Sequence, residues 1–442
     1  MPENYQAENI NDDGYAVIIT NRKKYLVPNL LPHEEAEIRF FNSGFGKVLN
    51  RQNDSKDRIK PLCPYFNECG GCQLQHISYD MQKDLKTAKI KHLLANAGID
   101  ETLLLPIIGM KDPFHYRNKA QMVLSSKGKR VMAGFYAENT HEIINVDKCV
   151  VQSDTANDIV KSCRDLMQKM HLEPYDEDKK TGLIRHVFVR TAEETKQVLV
   201  AIVTAREMFP GRHNFVQALK EKHPDITTIV QNVNPKSTSM VLGNFERILY
   251  GPGYIIDTIL GKKFKISANT FYQVNHKQAE VLYQKALELV KPKKEDNVLE
   301  LYSGIGAIGV ILADHVRKVT GVEINKDSVK NAIQNARINN MKNIRFYQMD
   351  AAEFVDTLDL SANRYDLIVV DPPREGLSKQ TLEGIKKIHS ENICYISCDP
   401  DTLVRDMSYL VKNGYSVKKI QPVDMFPQTN HVEAVAVLVL KK

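Results

Sequence analysis

Residues 266–442 alternate short apolar strands with amphipathic helices, and a glycine-rich turn follows the first strand of the series. This alternation constrains the fold more than any other feature of the chain. A helix over 276–290 leads to strand Asn297–Leu301, the glycine turn and helix Ile308–Asp314. Strand Lys318–Val322 leads to helix Lys326–Asn339. Strands Arg345–Gln348, Leu367–Val370 and Ile393–Ile396 follow, with helices between them. Units of this kind predict a doubly wound, Rossmann-like α/β domain, with a parallel sheet and helices on both faces.

The glycine turn reads Tyr302-Ser303-Gly304-Ile305-Gly306-Ala307-Ile308-Gly309. Glycines between a strand and a helix let a ligand approach the backbone closely. The next strand ends in Glu323, where a carboxylate accepts hydrogen bonds from both hydroxyls of a ribose. Dinucleotides and S-adenosylmethionine (SAM) share this pocket geometry. The strand over 366–370 discriminates between them, because it ends in Asp371-Pro372-Pro373-Arg374. Nucleic-acid methyltransferases carry their substrate-facing motif at such a position. In enzymes that methylate exocyclic amines, an aromatic residue usually follows the prolines and stacks on the base; here Arg374 argues against that chemistry. Asp371 falls at the carboxyl end of a strand, where open α/β sheets bind ligands.

Two residues supply candidate chemistry. Strand Ile393–Ile396 runs into Ser397-Cys398-Asp399-Pro400, so Cys398 lies at the open edge beside the same pocket. Cys394, inside the strand, reads as a small core residue. A helix N-terminus or a nearby cation lowers a thiol pKa and makes it nucleophilic. Glu433 stands just before the apolar final strand Ala434–Leu440, an odd position for a structural carboxylate. Uracil C5 is a poor nucleophile. A thiolate adding to C6 turns the ring into an enolate, C5 then attacks the SAM methyl group, and a base removes the C5 proton as the thiolate leaves. Cys398, Glu433 and the 302–323 pocket supply the thiolate, the base and the methyl-donor site.

The remainder of the chain divides in two. Residues 1–55 read as closely spaced strands, which predicts a small OB-type barrel. The polar stretch Arg51–Lys60 reads as a linker. Residues 56–265 form a mixed α+β central region, with a helix capped by Ser78 or Asp80 that ends at Gly98, and strands at Val187–Arg190 and Val198–Val203. No apolar run reaches the ~20 residues a membrane-spanning helix needs. The polar start Met1-Pro2-Glu3-Asn4-Tyr5 is unlike a secretory signal, so a cytoplasmic protein without a membrane partner is expected. Net charge is +6, which permits a nucleic-acid partner without requiring one. The seven cysteines are an odd number and do not suggest a disulfide framework. Three of them, Cys63, Cys69 and Cys72, are bunched within ten residues of chain.

These residues resemble the RNA (uracil-5-)-methyltransferases, and most of all the bacterial 23S ribosomal RNA branch that carries an iron–sulfur cluster. The resemblance spans nearly the whole chain. It rests on Cys63-x5-Cys69-Gly-Gly-Cys72 with Cys149, Phe271-Tyr-Gln273-Val-Asn275, Leu301-Tyr302-Ser-Gly304-Ile-Gly306, Asp371-Pro-Pro-Arg374, Ser397-Cys398-Asp-Pro400 and Thr429-x-His431-x-Glu433. It implies that Cys398 is the nucleophile and Glu433 the proton acceptor. It implies SAM contacts from Gln273, Tyr302, Glu323, Asp350 and Asp371, and stacking of Phe271 on a flipped uracil. It implies a [4Fe–4S] cluster on Cys63, Cys69, Cys72 and Cys149, although four cysteines also suit zinc. It further implies an N-terminal TRAM barrel over 1–55, a central domain over 56–265, and a SAM-dependent methyltransferase domain over 266–442. Residues about 83–112 are expected to pack on the last of these. Ala307 stands where some members carry an Asn that touches SAM, and Asp13-Gly14-Tyr15-Ala16 lacks a glycine common in the family's barrel.

The expected partner is 23S ribosomal RNA, not DNA, and the expected state is a monomer. Three alternatives are weighed. A tRNA T-loop enzyme of the same chemistry typically lacks the barrel and the cysteine cluster. A non-catalytic RNA-binding or ribosome-assembly factor would be expected to lose the thiol or the acid. A nicotinamide oxidoreductase would leave Cys398 and Asp371–Arg374 unexplained.

Overall fold

The computed structural model describes residues 3–137, 140, 142–236, 240–359, 361 and 364–441. The C-terminal sheet has seven strands in the order Ile344–Gln348, Lys318–Glu323, Asn297–Leu301, Leu367–Val370, Asn392–Ser397, Glu433–Leu440, Tyr415–Val423. The first five are parallel, each following a crossover. Strand order reverses at Asn297–Leu301, which opens a crevice at the carboxyl ends of this strand and Leu367–Val370.

The expectation of a wholly parallel sheet is corrected at the edge. Glu433–Leu440 runs antiparallel to both of its neighbours. The connection from Val423 to Glu433 is too short for the dozen or so residues that a parallel crossover needs, so a hairpin forms instead. The consequence for the site is direct: Glu433 begins its strand at the same end of the sheet where Cys398 follows the parallel strand Asn392–Ser397.

Two apolar layers cover the sheet. On one face, Ala279, Leu282 and Ala286 of helix His276–Val290 pack with Val298, Val369 and Ile396. On the other, Leu299, Ile368 and Ile420 pack with Leu403 and Met407, and with Ile90 and Leu94 of the early helix Tyr79–Asn96. That helix is capped by Ser78, whose side chain accepts from the Met81 N–H. Leu104 and Ile108 then bridge to Ile420 and Val423, which covers the outer edge strand.

A second seven-stranded sheet fills the centre of the chain, in the order Phe245–Tyr250, Ile226–Val233, Val198–Thr204, Ile184–Thr191, Lys119–Lys127, Arg130–Tyr136, Ile143–Asn145. Helices Asp154–Lys169 and Arg212–Lys222 cover one face. The other face contributes Phe188, Leu199, Ala201 and Val230 to the core it shares with the C-terminal sheet. Hydrophobic burial therefore fuses the two sheets.

Near the N-terminus, five short strands surround Ala16, Ile18, Val27, Ala36 and Ile38. Glu3–Gln6 pairs with Glu35–Phe40, which pairs with Gly46–Arg51; Ala16–Thr20 pairs with Lys23–Val27. A parallel bridge from Leu26 to Phe45 links the two groups, and an antiparallel bridge pairs Ile10 with Ala16. The stretch read as a linker is tied down. The Arg58 guanidinium donates to Glu34 Oε2 at 2.6 Å, and the Glu34 side chain is fully buried. Among the described residues no helix is long and apolar enough to cross a membrane.

Candidate active site

The glycine turn is shaped by left-handed backbone at three positions, with φ of 62° at Tyr302, 54° at Gly304 and 75° at Gly306. The two glycines are required for different reasons. A Cβ at Gly306 would collide with the Phe346 ring, so this glycine serves packing. A Cβ at Gly304 would meet nothing within 4 Å, so this glycine borders open space. Glu323 braces the turn, accepting from the Gly304 N–H at 3.0 Å and the Asn325 N–H at 2.7 Å. Asp350 caps helix Ala351–Thr357 through Oδ1. The Tyr302 hydroxyl lies 3.4 Å from Thr381 Oγ1.

Beside the turn, three strand ends bring together groups far apart in sequence. Glu433 is buried at 3% exposure and Asp371 is half-buried. Burial pushes the Asp371 carboxyl up to about 7. Burial first, and then Asp371, hold the Glu433 carboxyl well above the carboxylate range. Burial, Glu433 and Asp371 push the half-buried Cys398 thiol up to about 11, while Arg374 pulls it down. Two further members of the cluster escape a reading of the sequence. Tyr283, on the buried face of helix His276–Val290, feels Asp371, Glu433 and Glu300, and its hydroxyl is hydrogen-bonded to the Gln273 side chain. Glu300, in the middle of a buried strand, accepts from the Gly309 N–H at 3.1 Å. Burial raises its carboxyl to about 8. An acid inside the apolar run Val298–Leu301 was the available signal for Glu300. Tyr283 offers only a polar tip on an apolar helix face.

Three carboxyl groups and a thiol in one buried cluster cannot all ionise at neutral pH, because the charges repel in a medium of low polarity. Such a cluster favours a ligand that carries positive charge. SAM carries such a charge at its sulfonium.

Phe271 lies in the loop between Ile266 and His276 and is 68% exposed. The central sheet holds this loop: Arg190 donates to the Thr270 carbonyl, and Asn118 donates to the carbonyls of Gln273 and Val274. Lys119 and Arg190 stand directly opposite each other on adjacent strands. Burial, then Arg190 and Arg117, pull the Lys119 pKa down to about 8. Arg190 Nε and Nη1 are buried without a hydrogen-bond partner.

The four cysteines expected to ligate a metal are half-buried free thiols. Among the described residues no group of three or more His, Cys, Asp or Glu side chains has the arrangement of a metal site. The thiols are nevertheless neighbours. Burial raises each of them, and Cys149, Cys63 and Cys69 help to push Cys72 up to about 12. The donor set, four thiols whose anions repel one another, is chemically that of a four-thiolate centre.

A doubly wound sheet with a glycine turn, an acid at the end of the next strand and an acidic cluster at its switch point is the architecture of a SAM-dependent methyltransferase. The family model for tRNA (Uracil-5-)-methyltransferase matches residues 78–442. An uncharacterized RNA methyltransferase of Halalkalibacterium halodurans is 39% identical over 439 residues, covering 98% of this chain and 96% of its own length. One from Oceanobacillus iheyensis is also 39% identical and covers 98% and 95%. The crystal structure of Pyrococcus abyssi tRNA (uracil-54, C5)-methyltransferase in complex with S-adenosyl-L-homocysteine superposes with a TM-score of 0.81 at 26% identity, spanning 99% of this chain and 100% of that one. The chain belongs to the tRNA (uracil-5-)-methyltransferase family and is a SAM-dependent RNA methyltransferase acting at uracil C5.

Proposed function

We propose that Cys398 and Glu433 carry the methylation and that the target is uridine in 23S ribosomal RNA. The observation that carries this reading is the meeting of Cys398, Glu433 and Asp371 in one electrostatic cluster at the sheet edge. Cys398 Sγ, as thiolate, bonds to C6 of the extruded uracil, and the ring electrons move to C5 and its neighbouring carbonyl. SAM supplies an electrophilic methyl group and positive charge when bound. Once C5 carries the methyl group, Glu433 accepts the C5 proton, the C6–S bond breaks and the thiolate is restored. Gln273, Tyr302, Glu323, Asp350 and Asp371 line the methyl-donor side. Phe271, exposed and held by its loop, offers a stacking face to the extruded base. The crowded cations Arg117, Lys119 and Arg190 gain from an RNA phosphate, since like charges directly opposite destabilise a sheet.

Three domains follow in this reading: an OB/TRAM-like barrel over 1–55, a central domain over 56–265 and the methyltransferase domain over 266–442. The parallel contact between the third and fifth strands of the barrel, with its antiparallel pairings, supports the OB assignment. Cys63, Cys69, Cys72 and Cys149 would hold a [4Fe–4S] cluster, with zinc as the alternative. The cluster's part is structural, because methyl transfer moves no net electrons. The enzyme works in the cytoplasm as a monomer.

A tRNA substrate is the second reading. The Pyrococcus abyssi tRNA enzyme aligns over its full length, so the N-terminal and cysteine-bearing regions do not separate the two substrates. Labelled methyl transfer into unmodified 23S rRNA and into tRNA transcripts separates them. The expected product is 5-methyluridine in 23S rRNA. Transfer confined to tRNA supports the second reading. Label on nitrogen or oxygen, or full activity in Cys398→Ala, overturns the chemistry.

A further inference from the structure

We infer that Gln82, on the helix Tyr79–Asn96, is a positioning residue for Glu433. The inference rests on the reading of Glu433 as proton acceptor and names what sets that carboxylate in place.

Glu433 ends the connection that starts after Val423. Within it, Gln428 takes a φ of 71°, a left-handed conformation strained for a residue with a side chain. Gln82 holds this residue at two points. Gln82 Nε2 donates to Gln428 Oε1 at 3.0 Å, and the Gln428 N–H donates to Gln82 Oε1 at 3.0 Å. Both side chains are buried, at 1% and 3% exposure. The Gln428 carbonyl accepts from the N–H groups of Gln73 and Leu74. Gln82 Nε2 is also within hydrogen-bond distance of the carbonyls of Leu74 and Ile77.

The same helix face grips the start of the connection. Tyr79, Gln82 and Lys86 are spaced three and four residues apart and so line one face. The Tyr79 hydroxyl donates to Asp424 Oδ2 at 2.8 Å. Lys86 Nζ pairs with Asp424 Oδ1 at 2.6 Å and donates to the Phe426 carbonyl at 3.1 Å. A helix face buried on another element is ordinarily apolar. Here three buried or half-buried polar residues converge on one loop, and each of their hydrogen bonds there fixes direction as well as distance. None of the three touches a reacting atom. Of the three, Gln82 alone supports the strained residue.

Without Gln82, Gln428 is free to leave its left-handed conformation, and the loop shifts at the residues leading into Glu433. Addition of Cys398 and methyl transfer need no base at C5, so only proton removal slows. RNA tritiated at uridine C5 reports that step, and denaturing gels report the stalled protein–RNA adduct. In Gln82→Met, tritium release is expected to slow about ten- to a hundredfold, because a displacement of about 1 Å can cost that much. Methylated adduct accumulates, while the Kd for S-adenosylhomocysteine and the KM for RNA stay within about twofold. Adding Gln428→Gly restores most of the release rate, since glycine adopts a positive φ freely. Gln82→Asn, with its shorter amide, gives the same pattern more weakly.

Wild-type tritium release from Gln82→Met overturns the inference. So does an equal loss of adduct formation, tritium release and S-adenosylhomocysteine binding in both Gln82→Met and Gln82→Asn, which assigns the pair to folding alone. Glu433→Gln is run alongside. If that variant forms no adduct, the role given to Glu433 fails; if it does while Gln82→Met behaves as wild type, only the positioning role fails.

Discussion

At the carboxyl edge of the C-terminal sheet and around Cys63, Cys69, Cys72 and Cys149, acidic groups are crowded and keep their protons. The two places differ in what carries the groups. Asp371 and Cys398 directly follow, and Glu433 begins, three neighbouring strands of one sheet. Cys63 and Cys72 lie in loops, Cys69 ends a single helical turn and Cys149 sits in a turn. A rigid edge holds crowded groups ready for a reaction, whereas a loop cluster gains most from an ion that ties it together. The surroundings are alike in kind: after burial, Glu433 and Asp371 raise the Cys398 thiol and Arg374 lowers it, while a Gln75 hydrogen bond lowers the Cys72 thiol and the other three cysteines raise it.

The contrast breaks most sharply by mutation of one cysteine from each place. Cys398→Ala should lose methyl transfer by about 10⁴-fold or more, with folding and S-adenosylhomocysteine binding intact, as for other essential nucleophiles. Cys72→Ser should do the opposite. Elemental analysis should find the bound iron or zinc lost and the melting temperature several degrees lower, with S-adenosylhomocysteine affinity within about twofold. If Cys72→Ser instead abolished that affinity, the two regions would not be separable.

A third experiment sharpens the electrostatic side. Glu300 has a raised pKa when folded, so the stability it contributes is fully present below its unfolded pKa of about 4.3 and lost as pH rises through about 8. Between pH 6 and 9 the ligand-free protein should lose about 3 kcal/mol on this account. Glu300→Gln should flatten that part of the profile in denaturant titrations. The smallest effect is expected at the start of the early helix. Ser78→Ala removes the cap on Met81 and should cost about 1 kcal/mol, read from the same titrations.

Much of the catalytic half was legible because strand and helix periods announce themselves locally. Strands Asn297–Leu301 and Leu367–Val370 have the expected limits, and helix His276–Val290 spans its expected residues. The strand Tyr415–Val423 was not legible. Its alternation is broken by a register shift between Val417 and Lys419, and Pro422 sits inside it. The antiparallel finish depends on this strand, so the parallel reading failed there. The tether from Arg58 to Glu34 could not be seen either, because a buried ion pair between residues 24 apart leaves no periodic trace. At the site, motif order pointed to Cys398, Glu433 and Asp371, whereas Tyr283 and Glu300 join the cluster through burial. Gln82 and Lys86 were hidden for a related reason: their partners lie 346 and 338 residues downstream.

That separation also sets a timetable. The helix Tyr79–Asn96 leaves the ribosome long before Asp424 and Gln428 exist, and at ~5–20 residues per second the wait lasts ~20–70 s. Until then its buried amide and ammonium groups face water or a chaperone, and the turn before Glu433 has nothing to close on. An unfinished chain therefore presents its N-terminal strands and its central sheet well before the turn that leads into Glu433 can close.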